Sequence, residues 1–254
     1  MSARFEELAW QDTPIGTVSM RRRRDPALDV DVHEVKLDDE FLMSSLFTVA
    51  EVELARHGLA EVSGSDLDVV VGGLGLGHTA ATALEDSRVR SLLVVEALDA
   101  VIEWHRRDLL PLAADLTADP RTRLVHGDFF ELVNSRAGFD PDAVQRSCDS
   151  AVQRGCDAIL LDIDHSPNNV LDLSHAAFYS LQGLRRLADH LRPGGVFALW
   201  SDDPPDDAFT ATLGDVFATA ESRVVSFANP YGGEAANTLY VAKTTFLERP
   251  GIGH

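Results

Sequence analysis

Asp68-Val69-Val70-Val71-Gly72-Gly73-Leu74-Gly75-Leu76-Gly77-His78 is the stretch that decides the fold. An apolar strand runs directly into a loop with glycine at 72, 73, 75 and 77, and a helix-like stretch, Thr79 to Glu85, follows. Glycine permits a tight turn and close backbone approach, and the first turn of the following helix offers N–H groups without partners. Such a place suits the anionic or backbone-hugging part of a nucleotide-type ligand.

Working outward from it, short apolar runs alternate with amphipathic stretches. The spacing predicts strands over 68–72, 91–96, 122–126, 157–163, 195–200, 223–228 and 237–243. It predicts helices near 78–86, 98–109, 140–153, 174–190 and 206–220. Strands apolar on both faces, alternating with helices, imply a parallel sheet covered on both sides. The last two strands are separated only by residues 229–236, too few for a crossover helix, so they pair antiparallel. The expected fold is therefore α/β and Rossmann-like, with a mostly parallel seven-stranded sheet closed by a C-terminal antiparallel hairpin.

Upstream, residues 13–22 and 29–37 read as extended, with Asp25-Pro26 supplying the turn between them. This predicts a small N-terminal β-hairpin module with Arg21 to Arg24 at its tip, a solvated end rather than a phosphate grip. Residues 39–57 show helical periodicity (Phe41, Leu42, Leu46, Val49, Ala50, Leu54), with Gly58 placed as a stop. The expected division is residues 1–58 as a hairpin-and-helix module and 59–254 as the ligand-binding domain.

Composition narrows the function classes. The chain has 254 residues, 45% hydrophobic and 25% charged, enough for one large domain with a small appendage. Its first residues hold no apolar signal core, and no run approaches the length of a membrane helix, so a cytoplasmic, membrane-free protein is expected. A net charge of −19 argues against a nucleic-acid partner and favours a cationic small-molecule substrate. Cys148 and Cys156 have no metal-ligand spacing and are expected reduced; no metal site is anticipated.

In open α/β sheets the ligand lies beyond the carboxyl ends of the strands, near the switch point, so the residues after each strand matter most. After the first strand come Gly73, Gly75, Leu76 and Gly77; after the second, Glu96 and Ala97. A carboxylate at Glu96 can accept from both ribose hydroxyls. After the third come Asp128 and Phe129, suited to an adenine amino group and its ring; after the fourth, Asp162-Ile163-Asp164-His165-Ser166-Pro167. After the fifth come Asp202 and Asp203, which also fit the cap of the next helix. Gly75-Leu76-Gly77-His78-Thr79-Ala80 fits a dinucleotide fingerprint too, with Glu96 as its ribose acid. The closing hairpin and Asp128 favour a methionine-derived adenosine cofactor over that alternative.

These residues resemble the spermidine synthase (aminopropyltransferase) family, within the class I S-adenosylmethionine-dependent methyltransferase fold. Val70 to Gly77 resembles the family's glycine loop; Val94-Val95-Glu96-Ala97-Leu98-Asp99-Ala100-Val101-Ile102 resembles its VEIDxxVI stretch. Asp119-Pro120-Arg121 with His126-Gly127-Asp128-Phe129 is similar to its DPR…GD segment. Leu191-Arg192-Pro193-Gly194-Gly195 is similar to the LxPGG turn, and Leu37-Asp38-Asp39-Glu40-Phe41 to the DEF segment. The resemblance implies S-adenosylmethionine or its decarboxylated form as co-substrate, held by Glu96, Asp128 and Asp162, and it implies a homodimer. Three departures stand out. Gly75 occupies the position of the family's loop aspartate; Met43, Ser44 and Ser45 stand for its Tyr-His-Glu; and the DSSDP loop appears as Asp162 to Pro167.

The implied chemistry is alkyl transfer from a sulfonium to an amine, needing no metal, with Asp162 the first candidate for proton removal and Asp164 and His165 the next. Aminopropyl transfer follows the resemblance. Methyl transfer to a small molecule follows the lost Tyr-His-Glu, and a non-catalytic binding protein that keeps the fold is the third reading.

Overall fold

The computed structural model describes residues 5–13, 16–135, 138–140 and 155–246. Two sheets are present. Strands β1 (Phe5–Thr13), β2 (Gly16–Asp25), β3 (Val30–Leu37) and β4 (Glu40–Ser44) form an antiparallel sheet in that order. After α1 (Val49–Ala60) come β5 (Leu67–Gly72), α2 (His78–Glu85), β6 (Val89–Glu96), α3 (Asp99–Arg106), α4 (Ala113–Ala118), β7 (Thr122–His126) and α5 (Phe129–Asn134). The chain continues through β8 (Cys156–Leu161), a 3-10 turn at Leu173–Ala177, α6 (Leu181–Ala188), β9 (Leu191–Ser201), α7 (Asp207–Gly214), β10 (Thr219–Ala228) and β11 (Glu234–Lys243). The large sheet has the order β10-β11-β9-β8-β5-β6-β7. β5, β6, β7, β8 and β9 run parallel, and β11 is antiparallel to both β9 and β10. The α/β sheet with its closing hairpin is as the periodicity requires.

Strand alternation splits the core in two. On one face Val69, Val71, Ala158, Leu160 and Ala198 meet Leu54 and Ala55 of α1 and Val18, Met20 and Val35 of the small sheet. On the other, Val70, Ile159, Leu161, Phe197 and Leu199 meet a cluster of aromatic rings from α5, α7 and residues 178–179. Leu54 is fully buried between the sheets, so α1 joins the small sheet to the large one.

The N-terminal module differs from its expected form. It has four strands, not two, and residues 40–44 are β4 rather than the start of a helix. Asp38 takes a left-handed conformation (φ 52°) and turns the chain between β3 and β4. β1 (FEELAWQDT) is mostly exposed and lacks the apolar alternation that marks a half-buried strand. Arg21 to Arg24 lie along β2 and not at a tip. Arg21 pairs with Glu34, Arg22 with Glu6, Arg23 with Glu34 and Asp25, and Arg24 with Asp29 and Asp31. The single helix expected over 174–190 is a 3-10 turn and α6, because the Ser180 hydroxyl accepts from Gly183 N and starts a new helix. The helix expected over 140–153, and Cys148, lie outside the described residues. Cys156 is buried as a free thiol, and burial pushes its pKa up to about 12. Among the described residues no helix is long and apolar enough to cross a membrane.

The switch point lies between β5 and β8. There Asp162 N donates to Gly72 O at 2.9 Å, and Gly73 N donates to Val95 O at 2.9 Å. Gly73 has φ +93°, and a Cβ at that position would sit 2.1 Å from the Asp162 carbonyl oxygen. Gly73→Ala should therefore cost roughly 3 kcal/mol from overpacking and backbone strain together. The midpoint of urea unfolding measures this, and an unchanged midpoint would show that the β8 end yields freely.

Candidate active site

Every residue the sequence singles out after β5, β6, β7 and β8 falls at the carboxyl edge of the large sheet, but their environments separate them. In the glycine loop the side chains of Leu74 and Leu76 turn into the core, at 4% and 6% exposure. The absent side chains mostly accommodate the protein itself. A Cβ at Gly75 would meet Met43 Sδ at 3.1 Å, and one at Gly77 would meet Leu116 at 2.5 Å and His105 at 3.1 Å. Gly77, at φ +92°, is the residue from which α2 starts. The loop's N–H groups are largely committed within the protein too: Gly73 N donates to Val95 O, Leu74 N to Glu96 and Gly77 N to Leu74 O.

His105 secures this loop, a role that the sequence does not announce. It is fully buried on α3, and its Nε2 lies 3.0 Å from Gly75 O. A carbonyl can only accept, so Nε2 carries the proton, and Nδ1 is left buried without a partner. Burial lowers the pKa of the ring and keeps it neutral, against the opposing effect of the Gly75 contact.

Glu96 spans two strand ends. Its Oε2 accepts from Leu74 N at 2.9 Å and its Oε1 from Leu98 N at 2.8 Å. Burial raises its pKa, opposed by backbone N–H groups of Leu98, Leu74, Gly75 and Ala97. A ribose hydroxyl donating to this carboxylate would share it with those backbone N–H groups. The exposed Ala97 follows, its carbonyl taking a hydrogen bond from His126 Nε2 at 3.1 Å.

Asp128 caps α5. Its Oδ1 accepts from Phe130 N at 2.7 Å and Glu131 N at 3.2 Å, and Oδ2 has no partner among the described residues. The neighbouring Phe129 is not a crevice wall. At 1% exposure it lies in the core, stacked on Phe139, with its ring against the Gly72 backbone. The capped helix turns Phe129 inward, so it supports the crevice floor from beneath.

The three catalytic candidates part company. Asp162 continues the alternation of Ala158 and Leu160, which places its side chain on the α1 face of the sheet. There Oδ2 accepts from Thr79 Oγ1 at 3.2 Å, and burial raises its pKa. Asp164 points elsewhere and is fully committed. Its Oδ1 accepts from Leu171 N and His175 Nδ1, each at 2.8 Å, and its Oδ2 from Tyr179 OH at 2.7 Å. A carboxylate so satisfied organises the 164–180 loop and is not placed as a base. His165 is also drawn off: its Nε2 lies 3.6 Å from Glu40 of β4, and its carbonyl accepts from Asp202 N at 2.7 Å. Asp202 and Asp203 are engaged with Asn237 and Ser166, and Asp206 caps α7.

Two residues that the sequence reading misses belong here. Glu51, in the first turn of α1, lies close enough to Asp162 for its charge to be felt, and burial together with that neighbour raises its pKa. His175 stacks on Phe130 at 3.9 Å between centroids. Burial works against its charged form, but the hydrogen bond and charge of Asp164, with Asp128 and Asp172, leave its pKa raised. Neither stands in a recognisable motif; only tertiary placement brings them to the site. Among the described residues no group of three or more His, Cys, Asp or Glu is placed to hold a metal.

Solved structures share this fold. A spermidine synthase in complex with the transition-state analogue AdoDATO superimposes with a TM-score of 0.67 at 18% identity, over 95% of this chain and 74% of that one. The fold is that of the spermidine synthases. The spermidine synthase from Thermotoga maritima gives 0.67 at 17% identity over the same shares, 95% and 74%. A probable spermidine synthase from Corynebacterium glutamicum gives 0.60 at 13% identity, over 96% of this chain and 83% of that one. No family model matches the sequence, and no curated protein does. Residues 43–45 lie in and just after β4.

The Asp164–His175 pair has a testable consequence. A raised histidine pKa contributes stability in acid that fades as pH rises through the folded value. In Asp164→Asn, His175 should titrate lower than in the native chain and that fade should disappear. NMR titration of the imidazole C–H resonance reads it, and an unmoved midpoint would show that Asp164 does not set the ring's charge.

Proposed function

We propose that the chain is a transferase that moves an aminopropyl group from decarboxylated S-adenosylmethionine to an amine. One observation carries the reading. Asp162 sits at the switch point beside the glycine loop, partly buried, with no cation paired to it among the described residues. The fold shared with spermidine synthases supports the same choice.

The adenosine would lie along the loop backbone from Gly73 to Gly77, its ribose hydroxyls donating to Glu96 and its adenine amino group to the open Oδ2 of Asp128. The sulfonium already makes the adjacent carbon electrophilic. Holding the amine in line with the leaving sulfur contributes several kcal/mol. The amine nitrogen's lone pair forms the new C–N bond as the C–S bond breaks toward sulfur, which becomes a neutral thioether. Asp162 accepts the proton that the attacking nitrogen sheds.

Methyl transfer from S-adenosylmethionine is the second reading, and Met43 favours it. Its thioether meets Gly75 where the spermidine synthase loop carries an aspartate, so no carboxylate stands there for an aminopropyl ammonium.

Calorimetry with S-adenosylmethionine, its decarboxylated form and methylthioadenosine tests the cofactor. Binding of none of them leaves only a non-catalytic protein with this fold. Incubation with mixed amines and mass detection then separates gain of an aminopropyl group from gain of a methyl group. Asp162→Asn should keep methylthioadenosine binding and lose about 100-fold or more in turnover. Unchanged turnover would remove Asp162 from the mechanism.

A further inference from the structure

Four of the five N–H groups from Gly73 to Gly77 have acceptors inside the protein. Gly73 N donates to Val95 O at 2.9 Å, Leu74 N to Glu96 Oε2 at 2.9 Å and Gly77 N to Leu74 O at 2.8 Å. The Gly75 N–H is directed to the Glu96 carboxylate as well. The peptide unit between Gly75 and Leu76 is the exception. Its carbonyl oxygen takes the Nε2 proton of His105 at 3.0 Å, and its N–H, that of Leu76, has no acceptor among the described residues.

Turn geometry sets where that N–H points. The Gly77–Leu74 bond closes a turn over residues 74–77, with φ +49° at Gly75 and a negative φ at Leu76, the pattern of a type II′ turn. The peptide bond at its centre is trans, so its C=O and N–H are fixed in opposite directions. His105 reaches the turn from α3 and draws the Gly75 oxygen toward that helix. The Leu76 N–H is thereby aimed away from α3. Packing does not account for the histidine. Its ring is fully buried and its Nδ1 has no hydrogen-bond partner, a desolvation penalty that an apolar side chain would avoid. The bond from Nε2 to Gly75 is what the imidazole supplies and a hydrocarbon does not.

We propose that His105 is a positioning residue for the co-substrate: by holding the Gly75 carbonyl inward, it leaves the Leu76 N–H as the free donor of residues 73–77 and aims it at an acceptor oxygen of the bound adenosine compound. The inference rests on the transferase reading above, in either of its forms, and adds a specificity to it. The Gly75 carbonyl is the acceptor that could have met an ammonium tail, and His105 occupies it. The turn therefore reads oxygen. A ribose oxygen fits, common to both forms of the co-substrate; so does the carboxylate that S-adenosylmethionine keeps and its decarboxylated form lacks. The amine at the end of an aminopropyl tail must find its partner elsewhere than at residue 75.

The test uses the full chain, with methylthioadenosine and S-adenosylhomocysteine, which retains the carboxylate, as probes. Amide hydrogen exchange read by NMR should find the Leu76 N–H exchanging faster than those of Gly73, Leu74 and Gly77 in the free chain, and slowed once a probe saturates the site. Slowing by both probes identifies a ribose oxygen; slowing by S-adenosylhomocysteine alone identifies the carboxylate. A Leu76 N–H unchanged by both bound probes overturns the proposal. His105→Leu removes the donor at similar volume, so the Gly75 carbonyl must turn out to find another. Affinity for the probe that slows Leu76 should fall about tenfold. His105→Gln keeps an N–H donor and should recover most of that loss. Equal affinity in His105→Leu overturns the proposal, as does a glutamine variant no better than the leucine one. If neither variant folds, the native chain still decides by its exchange pattern and by imidazole nitrogen shifts, which must place the proton on Nε2. Failure of the native chain to bind either probe removes the transferase reading and the loop's partner with it. The free chain then judges the clamp alone, and a proton on Nδ1 would refute it.

Discussion

The missing side chain at Gly73 is the constraint on which the site depends. β5 and β8 are neighbours, but the chain leaves β5, builds β6 and β7 on one side, and returns to place β8 on the other. At the end of that excursion the Asp162 carbonyl occupies the space where any other residue at 73 would carry its Cβ. This contact fixes how far β8 advances beside the glycine loop. It therefore fixes where the Asp162 carboxylate stands relative to Glu96, one strand further along. The backbone hydrogen bonds on either side, Asp162 N to Gly72 O and Gly73 N to Val95 O, hold three strand ends in one register. The loop's other glycines serve the same end, with Gly77 admitting His105 and Leu116 from beneath and Gly75 admitting Met43 from the small sheet.

What the sequence makes legible follows from where the physics is local. The parallel strands are read directly, because burial on both faces demands continuous apolar runs such as Val69-Val70-Val71. The antiparallel hairpin of β10 and β11 is read from the length of its connection alone. β1 is not legible, because its residues are mostly exposed and its partner supplies ion pairs such as Arg22–Glu6 in place of apolar contacts. β4 hides within a helical periodicity that belongs, in the folded chain, only to residues after Val49. Glu96, Asp128 and Asp162 fall at the carboxyl ends of their strands as expected, because strand ends are predictable. Phe129 is misread because the Asp128 cap, a local event, turns its ring to the opposite face from the crevice. Asp164 is misread because three donors more than seven positions away or at that distance, Leu171, His175 and Tyr179, converge on it only in the folded loop. Glu51 and His175 carry no local signal at all.

The two edges of the large sheet carry different electrostatics. At the amino edge, Asp68 is shared by Arg90, Arg192 and the Ser91 hydroxyl, and Arg192 also holds Asp157. There too, Arg88 donates to the Leu59 and Val62 carbonyls at the end of α1, and Arg121 to the Leu84 carbonyl at the end of α2. These guanidiniums satisfy helix carbonyls that would otherwise lack donors, and their charge complements the negative end of each helix dipole. The carboxyl edge differs. Glu96 and Asp128 are met there by backbone N–H groups, and Asp162 by a hydroxyl. Among the described residues none of these three acids forms an ion pair.

Under the proposed reaction this asymmetry has a kinetic use. The sulfonium is a cation, and an edge of uncompensated carboxylates attracts it as it attracts an ammonium acceptor. Transfer converts the sulfonium into a neutral thioether, so the adenosine product loses that attraction at the moment the reaction ends. The positive charge passes to the new amine, which Asp162 continues to face. The two products are thus held unequally. The thioether has only the loop backbone, Glu96 and Asp128 to retain it, and the amine product regains an ionic partner once Asp162 gives up the proton it accepted.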